Sequence, residues 1–161
     1  MDNTHANAAG CCISDSKLND FHKYANEKLR DIDFSSDIYE VNFVRDGSSL
    51  DLASLIMDIG KYESIWGQGN PTPLICAKGI RVEKSDITVM GARQDTLKIV
   101  YNGISYIKFF AKDDIERIAQ WNSDILDITI IGKANINYWG GRAAPQIFIT
   151  DMDIKNSLFD F

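Results

Sequence analysis

The chain has 161 residues, enough for one ordinary domain or two small ones, and 45% hydrophobic with 25% charged residues is the balance of a soluble globular protein. No apolar run reaches the ~18 residues of a membrane helix, Met1 to His5 lacks the basic start of a secretory signal, and three cysteines without zinc spacing suggest a reduced, cytoplasmic location. The net charge of −6 speaks against a large nucleic-acid footprint, yet all of it precedes residue 73: residues 1–72 hold 6 Lys/Arg against 12 Asp/Glu, and residues 73–161 hold 11 against 11.

Ala8 to Ser14 is small and apolar and predicts a short buried strand, with Ser14 or Asp15 able to cap a following helix. Leu18, Phe21, His22, Ala25, Leu29 and Ile32 recur at helical spacing and form one apolar face. His22 has no second His or Cys beside it and reads as a packed helix histidine rather than a ligand. Alternation of Ile38, Tyr39, Val41 and Phe43 predicts a strand over 37–45, turned by Asp46-Gly47. Ser48 or Ser49 then caps a second helix with Leu52, Leu55, Ile56 and Ile59 on its apolar face. Strand, helix, strand, helix in 65 residues buries little core alone. It reads as the tail of a larger α/β domain begun upstream of Met1.

Trp66-Gly67-Gln68-Gly69-Asn70-Pro71-Thr72-Pro73 cannot continue a helix, because its glycines and prolines demand other backbone angles. By composition it is a linker; its aromatic lead-in argues for a packed joint, with Gly67, Gly69, Asn70 and Pro71 as structural residues. From Leu74 the pattern is strands. Leu74 to Met90 is extended, with bends at Gly79 and Lys84-Ser85-Asp86, and Gly91 to Asp95 is a loop. Thr96–Tyr101 and Ile104–Phe110 flank Asn102-Gly103, a strong hairpin signal that puts Leu97, Ile99, Tyr101, Ile104 and Tyr106 on one core face. Asp113 caps a short helix carrying Ile115, Ile118 and Ala119. Ile125 to Tyr138 is a long strand bent near Gly132, Trp139 to Pro145 a loop, Gln146 to Met152 the last strand, and 155–161 a tail. The predicted fold class is α+β: an α/β segment over 1–65, a joint over 66–73, and over 74–154 a five-stranded oligonucleotide-binding (OB) barrel with one helix between strands 3 and 4.

Three motifs in this order resemble one family. Trp66 to Pro73 resembles the Pro-Phe-Gly-x-Gly-Asn-Pro-x-Pro signature opening the OB domain of RecJ-type single-strand-specific exonucleases, with Ile65-Trp66 in place of Pro-Phe and Thr72 where an acid is common. His5-Ala6-Asn7-Ala8-Ala9-Gly10 resembles the end of the Gly-Gly-His-x-x-Ala-Ala-Gly motif of the DHH-associated domain. Asn137-Tyr138-Trp139-Gly140-Gly141-Arg142, with Gln146 and Asp151 after it, resembles the family's Asn-x-(aromatic)-x-Gly run and final strand. The resemblance covers about residues 4 to 154 and makes residues 1–65 a remnant of the DHH-associated domain. It implies an enzyme of DNA repair and recombination that removes nucleotides from the 5′ end of single-stranded DNA. The Asp and His residues that hold manganese in such enzymes belong to a separate N-terminal DHH domain, which this sequence does not match. No cofactor is therefore expected in this chain, and alone it is expected to be inactive. The pairs Asp31/Asp33 and Asp151/Asp153 have no nearby histidine and read as solvated carboxylates.

By the same resemblance His5, Asn7 and Gly10 are the remnant of a substrate-contacting loop, although Asn3-Thr4 replaces Gly-Gly and weakens close approach to a phosphate. In OB folds the strand 1–2 and 4–5 loops, with the sheet face between them, take single strands. That places Arg93 and Arg142 at the mouth, with Tyr138 and Trp139 to stack on bases and Lys98, Lys108 and Lys133 to meet phosphate. For Trp139, packing against the barrel end is the other reading. The expected partners are single-stranded DNA, held weakly and salt-sensitively, the missing DHH domain and a repair protein; no membrane partner is expected. A second reading, favoured by the acidity, is a barrel that docks a repair protein and touches no nucleic acid.

Overall fold

The computed structural model describes residues 12–31, 38–67 and 69–156. They belong to two compact units, one ending at Tyr39 and one beginning at Glu40. His5, Asn7 and Gly10 lie outside the described residues, and Cys12 to Ser14 form no strand. In the first unit a single 3-10 turn, Asp15–Lys17, leads into helix α1, Leu18–Leu29. The predicted helix is present, but α1 buries none of its residues, His22 included.

The second unit contains β1 (Phe43–Asp46), α2 (Leu50–Gly60), β2 (Leu74–Glu83), β3 (Ile87–Met90), β4 (Thr96–Tyr101), β5 (Ile104–Lys108), α3 (Lys112–Ala119), β6 (Ile125–Trp139) and β7 (Arg142–Asn156). The strands form one sheet in the order β1-β2-β6-β7-β5-β4-β3. This corrects the expected five-stranded barrel: among the described residues there are seven strands, and the sheet is not closed. The predicted first strand is cut in two by a 3-10 turn over Lys84–Asp86, where Glu83 and Asp86 cap each other's backbone. β2 and β3 are thereby separated by three residues in sequence and by four strands in the sheet. β1 adds a parallel edge strand, from Phe43 opposite Ile75 to Asp46 opposite Lys78. It is shorter than predicted because pairing starts only where Asn42 is bound to Leu74, its amide donating to the Leu74 carbonyl and its side chain accepting from the Leu74 N–H. α3 begins at Lys112 rather than behind Asp113, and Asp113 and Asp114 occupy its first turn, where the helix dipole favours acid.

Leu52 and Ile56 of α2 are fully buried with Ile75, Ala77, Ile80, Ile99, Ile104, Tyr106, Leu126 and Ile130 of the sheet. The face expected around the Asn102-Gly103 turn is the core face: Leu97, Ile99, Ile104 and Tyr106 are buried and Tyr101 packs beside them. The segment expected as a joint lies inside this unit. Gly67 and Asn70 exchange backbone hydrogen bonds of 2.8 and 3.1 Å, the Asn70 side chain donates to the Ile65 carbonyl at 2.9 Å, and the Trp66 indole donates to the Ile59 carbonyl at 3.3 Å.

Candidate nucleic-acid interface

β6 and β7 pair along their whole length, from Leu126 opposite Asn156 to Trp139 opposite Arg142. The loop expected over Trp139 to Pro145 is instead a two-residue turn. Gly140 and Gly141 have φ of +57° and +75°, which a tight hairpin needs and which β-carbons resist. β7 consequently starts at Arg142 and extends to Asn156, past the predicted strand end. The predicted bend near Gly132 is a bulge: Ile131 opposes Asp151 and Gly132 opposes Ile149, leaving Thr150 as the extra residue. A side chain at 132 would meet Ile147 and the Phe148 carbonyl at 2.5 Å each.

Paired residues on neighbouring strands share a face, so register fixes what stands together. One row crosses the sheet through Thr88, Lys98, Ile107, Phe148 and Lys133. The next holds Val100, Ser105, Gln146 and Asn135. Two residues further along β6 at each step come Asn137 beside Ala144 and then Trp139 beside Arg142. All of these lie on the face away from the core, since Leu97, Ile99, Tyr106, Ile147 and Ile130 alternate with them and are buried. Phe109 joins the same face, its ring 5.5 Å from that of Phe148 and tilted by 50°.

Trp139 is 84% exposed, so it does not pack against the sheet. The two rows and the hairpin end from Asn137 to Ala144 carry no acid; Asp127, Asp151 and Asp153 of this face lie on the far side of the Thr150 bulge. Among the described residues, Arg93, Lys98, Lys133 and Arg142 have no ion pair, which leaves their charge available to an anion.

Three of the expected contacts stand elsewhere. Lys108 lies on the core side of β5, 2.5 Å from the Asp114 carboxylate, and that carboxylate also receives Arg117 at 3.3 Å. Its charge is committed to holding α3. Tyr138 opposes Ala143 on the face opposite Trp139, on the side where Ala143 and Pro145 border α2, and close enough to Lys61 to help raise that ammonium's pKa after Asp58. Arg93 sits in the Gly91–Gln94 turn, which enters β4 at Thr96; register puts this at the end of the strands away from Trp139, next to Ala111, whose N–H donates to Asp95 at 2.7 Å. Sequence reading passed over Phe148, Phe109 and Ile107 as surface residues. Strict alternation along the last strand, counted from buried Ile147, signals Phe148.

The family model of the RecJ OB domain matches residues 49–151, from the start of α2 to the outer part of β7. The chain belongs to the RecJ OB-domain family. It is 30% identical over 151 residues to YorK of Bacillus subtilis (strain 168), named provisionally as an SPbeta prophage-derived single-strand DNA-specific exonuclease, and equally to yorK of Bacillus phage SPbeta. The match takes in 93% of this chain and 26% of each relative, so the chain spans about a quarter of the length of the curated relatives it matches. Among solved structures it resembles RecJ of Thermus thermophilus in complex with Mn2+, with TM-score 0.59 and 14% identity over 91% of this chain and 20% of that one. The Mg2+ complex of the same RecJ gives TM-score 0.56 over 87% of this chain and 20% of that one. At such low identity these structures speak for the RecJ fold alone. Among the described residues, no three His, Cys, Asp or Glu side chains gather as a metal site would require. No helix among them is long and apolar enough to cross a membrane.

Proposed function

We propose that this chain is the single-strand-binding, substrate-positioning module of a RecJ-like 5′–3′ single-stranded DNA exonuclease acting in DNA repair and recombination. One observation carries the reading. Trp139 and Arg142 stand side by side on an exposed hairpin, continuous with two register rows that carry no acid and offer Phe148, Lys133 and Lys98. Aromatic rings accept bases by stacking whatever the sequence, and unpaired cations track the phosphates between them. The hydrolytic chemistry falls to a DHH-type domain outside this chain, which would hold the manganese. This module would keep the strand in line while that domain works.

The unbalanced acid lies in residues 1–72, so attraction over long range is weak, and what binding the unpaired cations give falls as salt rises. Titration of the full chain with labelled single-stranded and duplex DNA over a range of salt tests the reading. Tighter binding of the single strand, lost as salt rises, is expected. A folded chain that binds neither even at low salt transfers the role to protein docking.

A further inference from the structure

The segment from Glu63 to Thr72 has a feature that strand binding at Trp139 does not use. Beside β6 and β7 it borders a cleft of about 310 Å3, lined by Glu63, Trp66, Thr72, Lys133, Ala134, Asn135 and Phe148. Pockets for small molecules run from about 300 to 1,000 Å3, so this one has room for a single base and its sugar. Trp66 and Phe148 line it, and the half-buried Trp66 is held by packing against the core and by its bond to the Ile59 carbonyl. Buried Gln146 donates to the Asn135 carbonyl oxygen at 3.5 Å, and the Asn135 NH2 group has no partner among the described residues and can donate. The Glu63 carboxylate has no partner among the described residues and can only accept.

We propose that this cleft is a nucleobase subsite that takes one base of a bound strand and prefers cytosine or adenine to thymine. The inference rests on the single-strand reading above and adds base preference to it. Cytosine and adenine each present an amino donor next to a ring-nitrogen acceptor, the complement of a Glu63 acceptor beside an Asn135 donor. Thymine presents a carbonyl oxygen where the amino group would stand, and the carboxylate repels it. Lys133, which shares its register row with Phe148 on the strand-binding face, is placed for the phosphate of the same nucleotide. The cleft thus adjoins the face along which the strand runs.

The test compares oligo-dC and oligo-dT of equal length, whose bases differ little in stacking area, by anisotropy on the full chain. Oligo-dC is expected to bind tighter by roughly fivefold, the low end for one well-made base contact. Glu63→Gln should bring the ratio close to one, because a primary amide donates as well as accepts. Trp139→Ala should weaken both strands alike and keep the ratio. A wild-type ratio of one, or a ratio that Glu63→Gln leaves alone, overturns the subsite while a Trp139 effect leaves the strand-binding reading intact. If neither strand binds, dCMP and dTMP are titrated while the indole N–H resonance of Trp66 is followed. A shift with dCMP that dTMP fails to match upholds the cleft as a base site, and no shift overturns it together with the strand reading.

Discussion

Lys108 and Asp114 are joined at 2.5 Å with 17% and 15% of their side chains exposed, tying the end of β5 to the first turn of α3. Lys108→Met removes the cation and leaves Arg117, at 3.3 Å, as the carboxylate's remaining ion partner. Breaking a fully buried pair costs ~3–5 kcal/mol; with residual solvent and Arg117 present, a loss of about 1–3 kcal/mol is expected in urea unfolding. Strand affinity per folded molecule should stay as in the wild type. A selective loss of affinity without loss of stability would return Lys108 to the binding surface.

Trp139 and Arg142 act from one register pair through different physics. Trp139→Ala should cost about 1–3 kcal/mol of single-strand affinity and leave the salt slope nearly unchanged. Arg142→Ala should cost less at moderate salt and flatten the slope of log K against log salt by roughly 0.7. Affinities measured across a salt series separate the two effects.

Segment 66–73 is held inside the second unit, and two variants probe that. Asn70→Ala deletes the bond to the Ile65 carbonyl and should lower stability by about 1 kcal/mol while speeding proteolysis nearby. A chain started at Pro73 would lack Leu52 and Ile56, both fully buried in the shared core. Truncating one such side chain alone costs ~2–5 kcal/mol, so this fragment should show no cooperative thermal transition.

Tyr106 is fully buried, its hydroxyl has no hydrogen-bond partner among the described residues, and burial, with a smaller effect from Tyr101, pushes its pKa far above the ordinary phenol value. A raised folded pKa means that the unfolded chain loses its proton first. The stability this contributes is whole below about pH 10 and falls by up to ~1.4 kcal/mol per pH unit above it. Tyr106→Phe should remove that alkaline slope and be neutral or slightly stabilising near pH 7, because it deletes an unsatisfied buried hydroxyl. Denaturant midpoints at neutral and alkaline pH check both signs.

The chain alone should release no nucleotides from labelled single-stranded DNA when manganese is supplied. Chelator-sensitive release by the pure protein would show a metal centre that its described residues do not assemble.

Local chemistry makes much of this molecule legible in its sequence alone. Helical spacing marked α1 and α2, Asn102-Gly103 marked the β4–β5 turn, and alternation picked out the core residues Leu97, Ile99, Ile104 and Tyr106, because these signals act within a few residues. The ordered motifs from Trp66 to Arg142 pointed to the RecJ family, which the match over 49–151 establishes. Partnership across the sheet was beyond their reach. The expected OB strand became β2 and β3 because a three-residue 3-10 turn allows each half to pair with a different neighbour. Lys108 and Lys98 both look like strand cations in sequence; only the position of Asp114 on α3 assigns the first to packing and leaves the second on the open face. Phe148, Lys133 and Lys98 come from β7, β6 and β4, so their row exists only once long-range register is set. Periodicity tells which way a side chain points along its own strand, whereas the neighbour it meets is decided by backbone pairing between segments far apart in the chain.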